Sequence, residues 1–491
     1  MSIRTIFRAF ARSAAFLAAA AAPATAQEPT GEEPSGPAGP PATAQNVERT
    51  ELARDAFSTG LYGAERGALP ADLWAGADPA LLADLLDAAP ARPGSPAVGA
   101  LMARSLLADG RAPQSASADA VVDLSGKKLA ALARAGFVDE ARTIATFSTA
   151  PKNAPAVAQA LAEIDLLSND LAGACGRGAR LTAGRDGLYW LKLRVLCYAA
   201  AGEVDAADLT LGLLRERGVL SEADDAYLGS AATGVAPGPG LAPQNGLQLA
   251  ALRRLGAAPS VEALAGAGGG VVRSLADDAE VDPALRLAAV REAAAMGVAE
   301  PAAVSEVFSA AADAADFDVA AEAGAAEALA DAPDDPMTDV LVRRAVAGMA
   351  EPAFMRDRAR LIAGALGVAD DFPRFAALAA LYEPEIVALD GALVAPSEAG
   401  RFALARMARG DAAAAGRWLN AMLNGQGAAA LDDETALEFV ELASLYRELD
   451  APAAARLSDV AGVALTPREA RTGAAGGAAV DRERLAVAAR A

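Results

Sequence analysis

Three short blocks that recur at a fixed spacing decide the fold. They are Gly136-Phe137-Val138-Asp139-Glu140-Ala141, Asn169-Asp170-Leu171-Ala172-Gly173-Ala174 and Gly202-Glu203-Val204-Asp205-Ala206-Ala207. Their first residues lie 33 positions apart, twice in succession. Each block separates two apolar runs of helical periodicity, and the Gly or Asn that opens it suits the left-handed conformation at a helix end. The blocks therefore predict three successive helical hairpins.

The composition favours helices throughout the chain. Of 491 residues, 53% are hydrophobic but only 4% are aromatic, because much of the apolar content is alanine. Alanine is the best helix former and buries little area per residue. Alternating runs rich in Val, Ile and Thr, which mark strands, are nearly absent. We predict an all-α fold of stacked antiparallel helical hairpins, an α-solenoid, in two helical regions.

The chain contains no histidine, which excludes several kinds of site. Neither a Ser-His-Asp triad nor a His-ligated zinc can form, and two cysteines cannot hold a Cys₄ metal centre alone. The net charge is −21. Such a polyanion is repelled by nucleic-acid phosphates and by anionic lipids. We predict no catalytic residue, no cofactor, no metal and no nucleic-acid partner.

The first residues have the pattern of an export signal. Met1–Ala26 combines a basic start, a short apolar run and the small residues Ala24-Thr25-Ala26, typical of a signal peptide; an ordinary amphipathic first helix is the alternative. Residues 27–45 are rich in Pro, Gly and Glu and are predicted to be a disordered linker. No later apolar run is long enough to span a bilayer. We predict a periplasmic or secreted protein without stable membrane insertion after signal cleavage.

The remaining chain is divided by its turn residues. Residues 46–232 form a predicted N-terminal helical array, 233–246 a Pro/Gly-rich linker, 247–464 a C-terminal helical region and 465–491 a flexible tail. Helix starts are predicted where an acidic residue or Ser precedes Pro, at Asp78, Ser95, Asp282, Glu300, Asp335 and Glu351. Helix ends are predicted at Gly110, Gly136, Gly202, Gly218, Gly297 and Gly410.

Over about residues 122–220 the repeated blocks resemble the tetratricopeptide repeat, whose usual period is 34 residues. The residues that lock the turn would be Val138, Leu171 and Val204, and the small residues at the helix crossing would be Ala141, Ala174 and Ala207. Tyr198 matches the family's first-helix aromatic in the third unit. The match is degenerate, because Trp190 is one place off and no unit has the closing proline. The resemblance implies a solenoid, and irregular helical hairpins are the alternative.

In such an array the helices that carry Cys175 and Cys197 are adjacent. The resemblance and the oxidising destination of an exported protein therefore imply a disulfide between them, with buried free thiols as the alternative. On the second of these helices Trp190, Lys192 and Arg194 are candidate partner-contact residues. The alternative for them is a core tryptophan with solvated cations.

Three further motifs receive structural interpretations. Ser125-Gly126-Lys127-Lys128 matches the Ser-x-x-Lys signature of penicillin-binding proteins, but their other motifs are missing, and we predict a helix N-cap followed by solvated lysines. Gly266–Gly270 is predicted to be a loop. The acidic run Asp277–Asp282 is predicted to be a solvated turn, with a weak calcium site as the alternative.

The predicted function is that of an exported cell-envelope scaffold for protein–protein interactions, without catalysis of its own, whose partners are other envelope proteins. The alternative is a helical accessory or substrate-binding part of a peptidoglycan-remodelling enzyme system. Release of soluble fragments from purified peptidoglycan would separate the alternative from the scaffold.

Overall fold

A computed structural model describes residues 55–424, apart from residues 64–65, 239, 316, 318–322 and 334. Within the described residues the protein has 21 α-helices and no strand, which confirms the all-α class. The predicted signal peptide (1–26), linker (27–45) and tail (465–491) lie outside the described residues, as do the ends of the two predicted helical regions, at 46–54 and 425–464.

Ten helices precede or immediately follow the Pro/Gly-rich loop in the middle of the chain. They are α1 (Pro79–Asp87), α2 (Pro96–Leu106), α3 (Ala118–Ala135), α4 (Val138–Phe147), α5 (Pro155–Leu167), α6 (Leu171–Arg180), α7 (Leu188–Ala201), α8 (Val204–Glu216), α9 (Glu222–Thr233) and α10 (Gly246–Arg254). The three predicted hairpins are therefore α3/α4, α5/α6 and α7/α8.

Eleven helices follow. They are α11 (Val261–Leu264), α12 (Gly269–Asp277), α13 (Pro283–Met296), α14 (Pro301–Ala315), α15 (Ala325–Asp331), α16 (Pro336–Gly348), α17 (Met355–Val368), α18 (Phe372–Leu381), α19 (Glu383–Ala388), α20 (Pro396–Ala408) and α21 (Ala412–Asn424). Two 3₁₀ turns, Pro352–Phe354 and Gly391–Leu393, connect neighbouring helices.

Helices begin at the proline after five of the six predicted start residues, Asp78, Ser95, Asp282, Glu300 and Asp335. Asp78, Ser95, Asp282 and Asp335 each accept a hydrogen bond from a backbone N–H of the first turn. Proline loses nothing there, because that N–H has no partner inside the helix. Glu351 makes no such bond and opens only a 3₁₀ turn, so this predicted α-helix start is wrong.

The helix ends in the repeated blocks are left-handed, as the sequence predicts. Gly136, Asn169 and Gly202 have φ values of 111°, 62° and 78°, and Asn169 is the one non-glycine residue with positive φ among the described residues. The prediction for Gly110 is wrong, because α2 ends at Leu106. The chain beyond α2 instead pairs with an earlier segment, where the amides of Leu61 and Tyr62 donate to the Leu107 carbonyl.

The buried side chains form two hydrophobic cores. The large core joins α1–α5 to α11–α21, and the small core is built by α5–α10. Two helices contribute to both: on α5, Ile164 faces the large core and Leu166 the small one, and on α10, Leu249 and Leu247 divide in the same way. Helices α5 and α10 thus form a wall between the two cores.

The hairpins do not stack uniformly. Helix α3 packs extensively along α5, but α5 has little direct contact with α7, because α10 contacts both of them. The Pro/Gly-rich loop between α9 and α10 therefore connects helices that pack in the same core. Helix α12, further along the chain, packs directly on α3, α4 and α5.

The prediction of a loop over Gly266–Gly270 is wrong for its last two residues. Gly269 and Gly270 are buried and open α12. A methyl group on Gly270 would lie 2.4 Å from the carbonyl oxygen of Ala133, and one on Gly269 equally close to that of Ala135. The glycines therefore let the start of α12 rest directly on the backbone at the end of α3, a close approach that glycine alone permits.

Candidate functional site

A disulfide connects the second and third hairpins. Cys175 on α6 and Cys197 on α7 are bonded, with an S–S distance of 1.99 Å and Cα atoms 5.8 Å apart. Both residues are half-buried at the edge of the small core. In the chain-entropy model, a bond that closes a loop across 22 positions stabilises the fold by roughly 3 kcal/mol.

Helix α6, which carries Cys175, has few other attachments. Its ten residues include three glycines, and Ala174 is the one residue of the helix that is buried. Each glycine costs about 1 kcal/mol relative to alanine in a helix interior. Asp170 caps its first turn, and Arg177 Nε lies 2.5 Å from Asp165 Oδ2 on α5. The disulfide is therefore a principal attachment of α6.

The three candidate partner-contact residues on α7 lie in different surroundings. Trp190 is 5% exposed and packs in the small core, beneath α6, where the Gly178 backbone covers its ring. Lys192 Nζ lies 2.7 Å from Asp224 Oδ2 on α9. Arg194 donates to the carbonyl of Arg185 at 3.0 Å. The structure does not bring these side chains together into one surface.

The partner of Lys192 belongs to a network that the sequence does not reveal. Asp224 also accepts from Gln248 Nε2 on α10 at 3.0 Å and from the Ser221 hydroxyl at 2.8 Å. Burial acts to raise the pKa of Asp224, but these hydrogen bonds and the Lys192 charge outweigh it, and the pKa is lowered. The carboxylate thus ties α7, α9 and α10 together.

A second carboxyl group inside the fold has the opposite shift. Glu163 on α5 accepts from the backbone N–H of Gly246, at the start of α10, and from the Tyr189 hydroxyl at 3.2 Å. Burial raises the pKa of Glu163 against the lowering effect of both hydrogen bonds. Its contacts join α5, α7 and α10, so it is a structural group at the wall between the cores.

The prediction of an N-cap and solvated lysines for Ser125–Lys128 is wrong for Ser125 and Lys128, because the motif lies inside α3 and both side chains are buried. The Ser125 hydroxyl accepts from the Phe57 N–H at 3.0 Å and donates to the Val121 carbonyl at 2.8 Å. Lys128 Nζ donates to the carbonyls of Phe57 and Thr59 at 2.7 and 2.9 Å. Both side chains therefore hold the segment before α1 against α3.

Lys128 is 3% exposed, and its burial lowers its pKa to about 8, although the nearby Asp55 and Asp109 carboxylates act to raise it. A lysine with a lowered pKa beside a serine has the composition of a Ser-Lys nucleophile. Here the serine hydroxyl is already engaged with backbone groups, and Ser125 is 0% exposed. The arrangement therefore supports a structural clamp.

The large core contains an ion pair closed off from solvent. Arg374 on α18 and Asp339 on α16 are 2% and 1% exposed, and two guanidinium nitrogens donate to the carboxylate at 2.6 and 2.8 Å. Burial raises the pKa of Asp339 despite this pairing. The hydroxyl of Tyr382, whose pKa burial also raises, is buried nearby without a hydrogen-bond partner. An isolated Arg in a helical pattern is the one sequence signal for this pair.

The acidic run at Asp277–Asp282 is a turn with assigned partners. Asp277 lies 2.6 Å from Arg273, Asp278 lies 3.0 Å from Arg253, and Asp282 caps α13. In the described part of the chain no group of three or more acidic or cysteine residues is arranged to hold a metal ion. A cavity of about 110 Å³ beside the turn is lined by Arg273, Asp277, Arg286 and Glu306 among aliphatic side chains.

Among the described residues, the most exposed large apolar side chain is on α8. Leu209 is 77% exposed, and Leu213, one turn further on, is 39% exposed. Asp205, Asp208 and Glu216 on the same helix are exposed around them. A second exposed leucine pair, Leu81 and Leu85 at 59% and 55%, lies on α1. Exposed apolar side chains at helical spacing, rimmed by charges, mark candidate interaction surfaces.

None of the described helices is both long and apolar enough to cross a membrane. In comparisons with protein-family models, with curated proteins and with solved structures, the chain matches none of them. The functional interpretation of the α8 surface therefore depends on its own chemistry.

Proposed function

We propose that this protein is an exported scaffold of the cell envelope that binds another envelope protein through α8 and has no catalysis of its own. The exposed Leu209–Leu213 pair is the observation that carries this proposal. Export is supported by the Cys175–Cys197 disulfide, because disulfides persist in oxidising compartments. The proposed lack of catalysis is supported by the absence of histidine from the chain and by the hydrogen bonds of the Ser125 hydroxyl to backbone groups.

The three hairpins supply the surface of the proposed scaffold. Ala141, Ala174 and Ala207 are all fully buried, which supports close crossing of the two helices in each hairpin. Val204, expected to lock the third turn, is instead 47% exposed on α8. We propose a short solenoid-like array in which α8 is the presented helix and α10 replaces a regular neighbour between α5 and α7.

The occupant that fits α8 is a basic amphipathic helix of the partner. Two leucines one turn apart match the apolar face of such a helix, as in other helix recognition modes. The acidic rim of Asp205, Asp208 and Glu216 would pair with its lysines or arginines. A protein with a net charge of −21 would also attract a basic partner at long range.

A binding titration tests this surface with a defined probe. The probe is an amphipathic leucine–lysine helical peptide, and its control is a peptide of the same composition with a scrambled apolar face. Leu209→Ser/Leu213→Ser should weaken binding of the probe about 10- to 100-fold, since central apolar anchors dominate such interfaces. Asp205→Asn/Asp208→Asn should weaken it less and reduce its salt dependence.

The matched control is Leu81→Ser/Leu85→Ser on α1, which should leave the affinity unchanged. Equal losses in the α1 and α8 variants, or equal binding of the scrambled peptide, would mean that the probe senses only the total charge. In cells, a photoreactive residue at position 209 should crosslink one partner reproducibly through a basic helical segment. Leu213→Ser should remove that crosslink.

A further inference from the structure

The disulfide attaches the glycine-rich helix α6 to α7, and α6 in turn contacts the buried Trp190. Gly178 of α6 rests on Trp190: a methyl group there would be 3.4 Å from the ring atom Cε3 and 3.8 Å from Leu193 Cδ2. Helix α6 therefore covers part of the apolar surface of α7. We propose that the Cys175–Cys197 bond keeps α6 packed over Trp190, so that reduction of the bond releases α6 and exposes Trp190.

The attachments of α6 support a local opening. Among its helical residues, only Ala174 is buried, and its neighbours in the fold are α5 and α7. Three glycines make the free helix a poor helix former. Without the disulfide, the Arg177–Asp165 ion pair and the side chains at the two ends of α6 are what hold it in place.

The rest of the small core does not depend on α6 in the same way. Helix α7 packs closely against α8 and contacts α9 and α10 from other sides. Leu193, Val195 and Leu196 of α7 are buried, and Lys192 is paired with Asp224. Loss of the α6 contact should therefore leave α7 helical, with one side newly exposed.

The redox step is a thiol–disulfide exchange with a dithiol reductant. One thiolate of the reductant attacks a sulfur of the Cys175–Cys197 bond and forms a mixed disulfide, and the second thiol of the reductant resolves it. The reductant is oxidised to a disulfide. Its two electrons and two protons reduce Cys175 and Cys197 to thiols. Both cysteines are half-buried at the core edge, which gives the reductant access.

Hydrogen exchange of the purified full chain, with and without dithiothreitol, tests the opening. Reduction should speed exchange of the amides at 174–180 about 100-fold, the loss expected when such a crosslink is removed, and change those at 193–199 by less than about threefold. A Cys175→Ala/Cys197→Ala variant should show fast exchange with or without the reductant. Unchanged exchange at 174–180 would overturn the proposal.

Two matched variants locate the effect. Gly176→Ala raises the helix propensity of α6, and the atoms nearest to its new methyl, from 3.3 Å, belong to the flexible Arg180 side chain. The substitution should therefore slow the exchange of reduced α6 about fivefold. Reduction should also increase acrylamide quenching of tryptophan fluorescence, and this increase should vanish in Trp190→Phe. If α7, α8 and α9 lost protection together with α6, the bond would be a staple for the entire small core and the proposed local control would be wrong.

Discussion

The large core and the small core share α5 and α10 but hold their polar groups in different ways. In the large core, the Asp339–Arg374 pair is almost completely removed from solvent. In the small core, Lys192 and Asp224 keep 16% and 12% of their side-chain surface, and α6 depends on a disulfide. The Asp339–Arg374 pair is thus shielded from solvent, whereas solvent reaches the Lys192–Asp224 pair and the half-buried cysteines of the disulfide. The small core should therefore be the part of the fold that responds to its surroundings.

The largest effect should come from breaking the ion pair of the large core. Arg374→Met leaves the Asp339 carboxylate buried without its cation and should lower the free energy of unfolding by about 3–5 kcal/mol. Lys192→Met in the small core should cost only about 1–2 kcal/mol, because Asp224 keeps the Gln248 and Ser221 bonds and some solvent. Urea denaturation of both variants measures the difference.

The double variant Asp339→Leu/Arg374→Met is the control for that comparison. It removes both charges and should be markedly more stable than Arg374→Met alone. Equal stability of the single and double variants would contradict a desolvated pair, and equal losses at Arg374 and Lys192 would remove the contrast between the cores.

An intermediate effect on stability is expected from substituting one glycine on a helix of each core. Gly270→Ala places a methyl 2.4 Å from the Ala133 carbonyl oxygen in the large core and should destabilise the protein by about 1–3 kcal/mol. Gly212→Ala on α8 meets no atom within 4 Å and should stabilise by about 0.5–1 kcal/mol through helix propensity. Thermal unfolding should thus move in opposite directions, and a shared direction would contradict the close contact of α12 with α3.

The smallest effect concerns Lys128. Its pKa falls from 10.5 to about 8 on folding, so between these pH values the unfolded chain binds more protons and stability rises with pH. From pH 7 to pH 9 this group should add about 1 kcal/mol to the free energy of unfolding. Lys128→Met should lose that increment, whereas Lys127→Met, which removes an exposed pair with Asp87, should retain it. Parallel pH profiles for the native protein and Lys128→Met would contradict the burial of the ammonium group.

Local rules in the sequence were sufficient for the hairpins. A left-handed position requires Gly or Asn, and Gly136, Asn169 and Gly202 satisfy it within each block. The caps at Asp78, Ser95, Asp282 and Asp335 follow from bonds within four residues, which any reader of the sequence can check. Such short-range geometry depends little on the rest of the fold.

Long-range contacts defeated the same rules elsewhere. The sequence predicts an N-cap at Ser125 and a solvated Lys128 because their true partners, the backbone at Phe57 and Thr59, lie about 70 positions earlier in the chain. Gly269 and Gly270 look like a loop because the carbonyls that require them belong to α3. The sequence does not reveal the candidate surface for a similar reason. Trp190 is a typical interface residue but is buried, whereas Leu209 is an ordinary apolar residue of an amphipathic helix and is exposed.

The shared wall of α5 and α10 also constrains the order of folding. Helix α10 follows the Pro/Gly-rich loop in the sequence, after all three hairpins, yet in the structure it lies between α5 and α7 and contacts both. A nascent chain that ends near residue 233 can form its hairpins but lacks the strip of Leu247, Ala251 and their neighbours that completes the small core. The Pro/Gly-rich loop thus delays assembly of the small core, whose apolar surface stays exposed until residues 246–254 become available.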